Sequence, residues 1–435
     1  MNAATLQMLD TQIHKHNTLP PEAILKTELL RRGIAFAPEA LVPPADAQEH
    51  QLKSYFIFSF NMVKLSELDG TARWKAPEEV ALTGGPYNLR RTIVSVRLNP
   101  ASPYKVLLHQ GERWLTAEGE LLARVQLPAK PAHYNCKLPD GKSAGELAPT
   151  IEWGYLIYLT IFRICQYFGE KEECQFCDIN HNYREQIAAG RPYTGVKKVE
   201  DILAALEHIA RSDSPTKAYT LTGGSITSKL EGKSEVEFYT QYVEAIESRF
   251  PGRWIAKVVT QAWPKADVQR LKDAGATIYH PNYEVWDPRL FELISPGKNR
   301  YIGRDEWIKR IVDAADIFGP SRVIPNFVGG VEMAKPYGFT DVEQAVESTR
   351  QGLDFFMSQG VVPRFTTWCP EPTTKLGNAN PEGAPLEFHL RLLEVYRDTL
   401  ASHHLPPPPG YGAPGPGRAV FSVSPFMDVL PPAEA

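Results

Sequence analysis

The sequence predicts an α/β protein: a TIM-type barrel or partial barrel of about six β/α units, preceded by a smaller β-containing domain. From residue 151, short apolar runs alternate with amphipathic helical segments over about 250 residues, a typical length for such barrels. Residues 1–150 lack this alternation, and residues 405–435 begin with a stretch rich in proline and glycine. We therefore expect an accessory domain (1–150), a barrel (151–404) and an extended tail (405–435). A doubly wound open sheet is the alternative to the barrel.

The accessory domain is expected to contain several short strands. Its strand-like runs are residues 55–60, 91–98, 105–109, 114–115 and 121–125. The last two flank the turn sequence 117–119, as the strands of a hairpin do. No pattern in this region indicates a particular chemistry.

The barrel region contains six predicted strands, each followed by at least one predicted helix. The strands are 155–164, 218–221, 254–259, 277–279, 323–328 and 361–367; the helices are 200–211, one opened by Ser234, 265–274, 288–293 with 305–317, 341–358 and 386–401. Ser234 and Glu237 have capping-box spacing, and Gly275 follows a helix at the position of a C-terminal cap. The apolar segment 419–423 is expected to pack back on the barrel.

Three of the five cysteines lie close together, directly after the first predicted barrel strand. Cys165, Cys174 and Cys177 thus fall in a loop at the end of the barrel where active sites form. An odd number of cysteines does not suit a disulfide framework, and this clustering indicates a metal. Three thiolates can bind three irons of a cubane cluster and leave the fourth iron without a protein ligand.

This Cys-x8-Cys-x2-Cys sequence resembles the Cys-x3-Cys-x2-Cys motif of radical S-adenosylmethionine (SAM) enzymes. Phe176 stands at the place of the aromatic residue that precedes the last cysteine in that family. The longer first spacing is a departure from the family pattern. The resemblance implies that Cys165, Cys174 and Cys177 hold a [4Fe–4S] cluster, that SAM chelates the open iron, and that Phe176 lies near the SAM adenine.

The end of the second strand also resembles a SAM-binding region of this family. Gly223, Gly224 and Ser225 correspond to a Gly-Gly-Glu sequence that receives the SAM amino group. Ser225 replaces the acid, so the contact would come mainly from backbone carbonyl groups. The two glycines would let the backbone approach a ligand closely.

Later strand ends resemble those of biotin synthase-like members. Glu284 is implied as a ligand of the SAM ribose or of the substrate, and Arg304 as the partner of the SAM carboxylate. Val328 and Gly329 belong to a segment, 326–332, that resembles the family's glycine-rich turn after the fifth strand, which implies a place beside the adenine. Cys369 follows the last strand and is a speculative hydrogen-atom donor. The alternatives are an ordinary loop acid for Glu284, a helix-capping role for Arg304 and a small buried apolar residue for Cys369.

The implied reaction is the reductive cleavage of SAM to a 5′-deoxyadenosyl radical, which abstracts hydrogen from a small organic substrate. A flavodoxin or ferredoxin would supply the electron. One alternative is radical modification of a peptide or RNA, with residues 1–150 as the recognition module. Another is a non-catalytic electron-transfer protein or a zinc protein with a Cys3His site that includes His181.

Composition and charge limit the functional classes that the chain can belong to. The chain has 435 residues, of which 43% are hydrophobic and 23% charged, as in typical globular proteins. The net charge of −4 gives no overall basic field, so a nucleic-acid partner is not expected. The N-terminus lacks the apolar region of a signal peptide, and the longest apolar stretch, 153–164, is too short to span a bilayer. We therefore expect a cytoplasmic protein that does not associate with membranes.

Overall fold

A computed structural model describes residues 4–42, 48–53, 62–64, 76–188, 190, 195–212 and 214–432. The predicted strand 55–60 lies outside these residues. Within the described part of the chain, no helix is long and apolar enough to cross a membrane.

The N-terminal part combines three described α-helices with one six-stranded sheet. Its elements are α1 (Ala4–Lys15), α2 (Pro21–Arg32), β1 (Ala35–Phe36), β2 (Glu79–Gly84), β3 (Leu89–Ser95), β4 (Tyr104–His109), β5 (Glu112–Ala117), β6 (Glu120–Gln126) and the short α3 (Ala144–Leu147). The sheet order is β1-β4-β5-β6-β2-β3, and all pairs except β1 with β4 are antiparallel. The predicted hairpin corresponds to β5 and β6. Its turn residues Glu118 and Gly119 have φ values of 54° and 92°, as a tight hairpin turn requires.

The remaining elements alternate between strands and helices. They are β7 (Thr150–Ile151), β8 (Leu156–Phe162), α4 (Ile179–Ala188), α5 (Val199–Arg211), β9 (Ala218–Gly223), α6 (Glu235–Arg249), β10 (Ile255–Thr260), α7 (Lys265–Asp273), β11 (Ile278–Pro281), α8 (Pro288–Ile294), α9 (Pro296–Tyr301), α10 (Arg304–Phe318), β12 (Asn326–Gly329), α11 (Val342–Ser358), β13 (Arg364–Thr367), α12 (Lys375–Ala379) and α13 (Leu386–Ser402). The predicted local signals are present. Ser234 and Glu237 form a complete capping box at α6, and Gly275 after α7 has a φ of 108°.

The strands from β8 to β13 form one parallel series. Parallel pairing joins β8 to β9, β9 to β10, β10 to β11 and β12 to β13. Parallel bridges between Tyr279 and Val323 and between Glu284 and Phe327 connect β11 to β12. The strands therefore follow one another in sequence order, without the reversal that defines a doubly wound sheet. Within the described residues β13 does not pair with β8, so the predicted α/β fold is confirmed as a partial barrel.

The C-terminal segment packs between the barrel and the N-terminal part. The Thr367 amide donates to the Val423 carbonyl at 3.1 Å, and the Ser95 amide donates to the Ser422 carbonyl at 3.0 Å. Lys26 of α2 forms a fully buried ion pair with Asp428 at 2.9 Å. The expectation that residues 419–423 return to the barrel is confirmed. The domain boundaries themselves stay predictions.

Candidate active site

One cavity of about 300 Å³ extends along the inside of the partial barrel. We call its two ends the cysteine end and the polar floor. The cysteine end is lined by the cysteine loop and the carboxyl ends of the parallel strands. The polar floor is lined by Glu152, Tyr158, Thr220, Lys257, His280, Asn326 and Arg364. Every predicted site residue except Arg304 and Gly329 lines this cavity: Cys165, Cys174, Cys177, Phe176, Gly223, Gly224, Ser225, Glu284, Val328 and Cys369.

The first cysteine is fixed through its backbone by one buried side chain. The Asn180 amide accepts a hydrogen bond from the Cys165 N–H at 2.9 Å and donates to the carbonyls of Cys165 at 3.2 Å and Tyr167 at 2.9 Å. Asn180 is 2% exposed. Because both the donor and the acceptor of this amide are used, the start of the cysteine loop has a defined path.

The rest of the cysteine loop is held by backbone hydrogen bonds. The amide of Gln175 donates to Ile294 at 2.8 Å, and the amide of Cys177 donates to Cys174 at 3.1 Å. The eight residues between Cys165 and Cys174 contain a turn, in which the amides of Glu172 and Glu173 donate to the Gly169 carbonyl. The loop is therefore long in sequence but compact in space.

The three thiols influence one another electrostatically. Burial raises the pKa of the Cys174 thiol to about 12, and Cys165 adds to this shift while Lys298 opposes it. Burial also raises the pKa of the Cys165 thiol. Proteins bind iron through the thiolate form, so cluster binding at this site would release protons.

The residues of the cysteine end suit an iron–sulfur cluster in their chemistry. Three thiols from one loop face the same cavity, together with the apolar side chains of Phe176 and Val328. The buried Asn282 Oδ1, which also lines this cavity, has no hydrogen-bond partner among the described residues. Within the described residues, no three His, Cys, Asp or Glu side chains form a ready site for a single metal ion.

His181 does not share the cavity with the cysteines. Its Nε2 lies 3.3 Å from Glu185 Oε1 on the same helix, and its side chain is 36% exposed. Of the four side chains proposed for a Cys3His zinc site, only the three cysteines line the cavity. This arrangement favours a three-cysteine site.

Close packing at the end of β9 requires glycine at residues 223 and 224. A Cβ atom on Gly224 would lie 2.1 Å from the Ile164 carbonyl oxygen, and one on Gly223 would lie 2.6 Å from the Phe162 oxygen. The Ser225 carbonyl accepts a hydrogen bond from the Gln166 amide at 2.8 Å. These glycines therefore bring the end of β9 directly against the start of the cysteine loop.

Glu284 forms a buried ion pair that the sequence did not reveal. Lys298 of α9 contacts the Glu284 carboxylate and donates to the Asn282 carbonyl at 2.8 Å. The side chains of Lys298 and Glu284 are 9% and 8% exposed. Both line the cavity, and Lys298 acts on the pKa of Cys174, so this lysine is a cation of the cysteine end.

The predicted role of Arg304 does not agree with its position. Its guanidinium donates to the Trp286 carbonyl at 3.1 Å and lies over the Trp286 ring at 4.8 Å. Arg304, the first residue of α10, is absent from the cavity wall, and its guanidinium also contacts the Asp305 carboxylate at 3.3 Å. Gly329 also lies outside the wall; a Cβ there would contact Leu392. Alternation along β12 directs Val328 to the cavity and Gly329 away from it.

Two other buried groups face the cysteine end. Burial raises the pKa of Glu235 to about 7, and its carboxylate accepts hydrogen bonds from the Ile226 amide and the Trp263 indole. Burial raises the pKa of the Cys369 thiol to about 12, so this side chain carries its proton at neutral pH. Cys369 is 3% exposed, and Arg97 from the N-terminal part donates to the neighbouring Trp368 carbonyl at 3.0 Å.

Comparison with known proteins gives distant structural similarity only. No protein-family model matches the chain, and no curated protein matches it by sequence. The crystal structure of methylornithine synthase (PylB) matches 56% of this chain with 15% identity and a TM-score of 0.40. The coproporphyrinogen III oxidase HemN from Escherichia coli, described as a radical SAM enzyme, matches 57% with 12% identity and a TM-score of 0.34.

A third solved structure, a radical SAM methyltransferase from Sphaerobacter thermophilus, matches 71% of this chain and 76% of its own chain, with 14% identity and a TM-score of 0.36. The chain spans less than two thirds of the length of the first two proteins, 62% of PylB and 52% of HemN. Similarity at this level does not assign a reaction to the chain.

Proposed function

We propose that this chain is a radical SAM enzyme in which Cys165, Cys174 and Cys177 hold a [4Fe–4S] cluster. The observation that carries the proposal is the cysteine end itself. Three thiols of one loop, the carboxyl ends of six parallel strands and a buried Lys–Glu pair surround one cavity. When bound, the cluster and SAM would supply one-electron cleavage to methionine and a radical that removes hydrogen from an unactivated C–H bond.

The protein's own residues would orient SAM and keep water away. Phe176 and Val328 provide apolar surface for the adenine, and the close packing at Gly224 fixes the cysteine loop against β9. Lys298 is a cation that would contact the SAM carboxylate at this end, with Glu284 holding it in place. A reactive intermediate survives only where solvent is excluded, and the position of the cavity inside the barrel meets this need.

The proposed substrate is a small organic molecule, because the cavity of about 300 Å³ would have to hold SAM and the cluster as well. A flavodoxin or ferredoxin is the proposed electron donor. Cys369, buried and protonated in the same cavity, remains a speculative donor of a hydrogen atom. The cytoplasmic location stays a prediction from the sequence.

Anaerobic reconstitution with iron and sulfide tests the proposal. We expect a brown protein with a reduced EPR signal that changes on addition of SAM, and formation of 5′-deoxyadenosine. Cys174→Ala should abolish SAM cleavage. Cys136→Ala is the matched control, because Cys136 lies outside the cavity wall, and it should retain full cleavage.

A colourless protein that binds zinc in place of iron would contradict the proposal. Undiminished SAM cleavage by the Cys174→Ala protein would show that the assignment of the cluster ligands is wrong.

A further inference from the structure

The polar floor contains an arginine without a polar partner. The backbone amide of Arg364, the first residue of β13, donates to the Pro325 carbonyl at 3.0 Å. Its half-buried side chain makes no hydrogen bond or close ion pair with any described residue, and its Nε is buried without a partner there. Its guanidinium lies over the rings of Tyr411 and Phe421, at 5.7 and 5.4 Å from their centres. Desolvation of an ion costs several kcal/mol unless another charge or polar group compensates it.

The other charges of the polar floor compensate Arg364 only in part. Lys257, which is 2% exposed, donates to the Gly410 carbonyl at 2.8 Å and lies 3.8 Å from the centre of the Tyr411 ring. Glu152 is the one carboxylate of the floor, so two cations face a single acid; burial raises the pKa of Glu152, while Lys257 and Arg364 both lower it. Burial, aided by Arg364 and Lys257, lowers the pKa of His280, which stays neutral. One positive charge is therefore left over at the floor.

Neutral groups beside Arg364 are also available to a ligand. Asn326 is the register partner of Arg364 on the adjacent strand. It is 4% exposed, and its Oδ1 has no partner among the described residues. The Glu152 Oε2 is likewise buried without a partner there. Such groups are costly to bury unless a ligand hydrogen-bonds to them.

The floor is held in place by the N-terminal part of the chain. Glu152 and Trp153 both have a φ of 58°, and the Glu79 carboxylate accepts their backbone N–H groups at 2.8 and 2.9 Å. Phe421, Ser422 and Val423 of the C-terminal segment line the cavity at the same end. Two regions outside the parallel strands therefore maintain an unusual backbone turn that places Glu152 at the floor.

We propose that the polar floor binds an anionic group of the substrate, a carboxylate or a phosphate, through the Arg364 guanidinium. Asn326 accepts a hydrogen bond from a neighbouring hydroxyl or amino group of the same molecule. A planar guanidinium matches the paired oxygens of either anion. The inference deepens the proposed function and rests on it only in naming the bound molecule as the substrate.

The position of the floor also limits the length of this molecule. Tyr158, Thr220 and Lys257 stand side by side in the register of β8, β9 and β10, three residues before the end of β9. At the usual rise along a strand, this layer lies about 10 Å below the cysteine end. Because the cluster and SAM would occupy the cysteine end, the reacting C–H bond of the substrate would lie less than this distance from its anionic end.

Anion binding to the full-length, anaerobically reconstituted protein tests the inference. The probes are acetate, inorganic phosphate and, as the neutral control, acetamide, added at constant ionic strength while the melting temperature is followed. We expect acetate or phosphate, but not acetamide, to raise the melting temperature. Arg364→Met should weaken this binding about tenfold or more, as for the loss of a charged hydrogen bond. Arg310→Met is the matched control, because its guanidinium donates to the Ala262 carbonyl outside the cavity.

Stabilisation by acetate alone assigns a carboxylate, and stabilisation by phosphate alone assigns a phosphate. Equal behaviour of the wild-type and Arg364→Met proteins with both anions overturns the inference. If the variant does not fold, bromide soaked into wild-type crystals provides the test. An anomalous peak at the Arg364 guanidinium supports the site, and its absence there overturns it.

None of these measurements requires SAM cleavage. A protein that binds anions at Arg364 without cleaving SAM contradicts only the proposed function, and the reverse result contradicts only the anion site.

Discussion

The cysteine end and the polar floor belong to one cavity but are encoded in different ways. The three cysteines come from a single loop and are visible as a local pattern. The floor takes one side chain from each of the six parallel strands, and Glu152 comes from the turn before them. The comparison shows that the residues for the chemistry of a barrel can come from one short segment of the sequence. The residues that set the shape and charge of its substrate site come from many separate segments.

The largest expected effect is on SAM cleavage. Variants at the two ends of the cavity should differ in whether cleavage without substrate is also lost. Cys177→Ala should abolish SAM cleavage with or without substrate, because it removes a proposed cluster ligand. Arg364→Met should keep the slow cleavage that occurs without substrate and lose stimulation by substrate. Iron content and 5′-deoxyadenosine formation measure both effects. Loss of iron from the Arg364→Met protein would break the distinction between the two ends.

The next effect tests how closely the cysteine end is packed. Gly224→Ala should destabilise the protein by about 3 kcal/mol, since its Cβ would meet the Ile164 carbonyl at 2.1 Å. Gly329→Ala, at the end of β12, is the control, because there the nearest atom is the end of the Leu392 side chain at 3.1 Å. Urea denaturation compares the two variants. Equal free energies of unfolding would show that β9 can move away from the cysteine loop.

A pH effect concerns β12, which contributes Asn326 to the floor and Val328 to the cysteine end. Burial raises the pKa of Glu332, in the turn after this strand, from 4.5 to about 7. Between pH 4.5 and 7 the folded protein holds a proton that the unfolded chain has lost, so stability falls as the pH rises through this window. The loss attributed to Glu332 is about 3 kcal/mol.

Glu332→Gln serves as the control for this pH effect, because a glutamine can still accept from the Gly330 amide, as the carboxylate does. Denaturation at several pH values should show a smaller decline for the variant than for the wild-type protein. Parallel curves for the two proteins would refute the assignment.

The smallest expected effect concerns the two basic residues near the cysteine end. Arg304→Met should change the KM for SAM less than about twofold, because Arg304 contacts Trp286 outside the cavity. Lys298→Met should raise this KM about tenfold or more, through loss of a charged contact. Steady-state kinetics decide between them. A larger effect of Arg304→Met would restore the role that the sequence suggested.

The fold was predictable because each β/α unit carries its own local signals. The capping box at Ser234 and the glycine after α7 mark helix ends, and the strand runs appear in the order of the parallel series. Helix α2 was not predicted, since its buried surface includes Glu22, Lys26 and Glu28, which hide the apolar pattern.

The floor was not predictable from local patterns, because each member is a single polar residue within an otherwise apolar strand. Lys257 and Arg364 interrupt two such runs, and a charge at an inward position of a strand was the available signal. Which way each side chain points depends on strand register, and one residue of shift reverses it. Arg304 and Lys298 show the same difficulty. Both are basic residues near a strand end, so the sequence allows either to bind a ligand carboxylate, and only the packing shows which of the two side chains lines the cavity.

The amide side chain of Asn180 has a consequence for how such sites are identified. It hydrogen-bonds to the backbone N–H and carbonyl of Cys165 and to the carbonyl of Tyr167. The eight residues between Cys165 and Cys174 form a turn with its own backbone hydrogen bonds. The spatial position of the first sulfur is thus independent of how much chain separates it from the second. Loops of very different length can present the same three ligands, and a search that demands a fixed interval between cysteines will overlook proteins built this way.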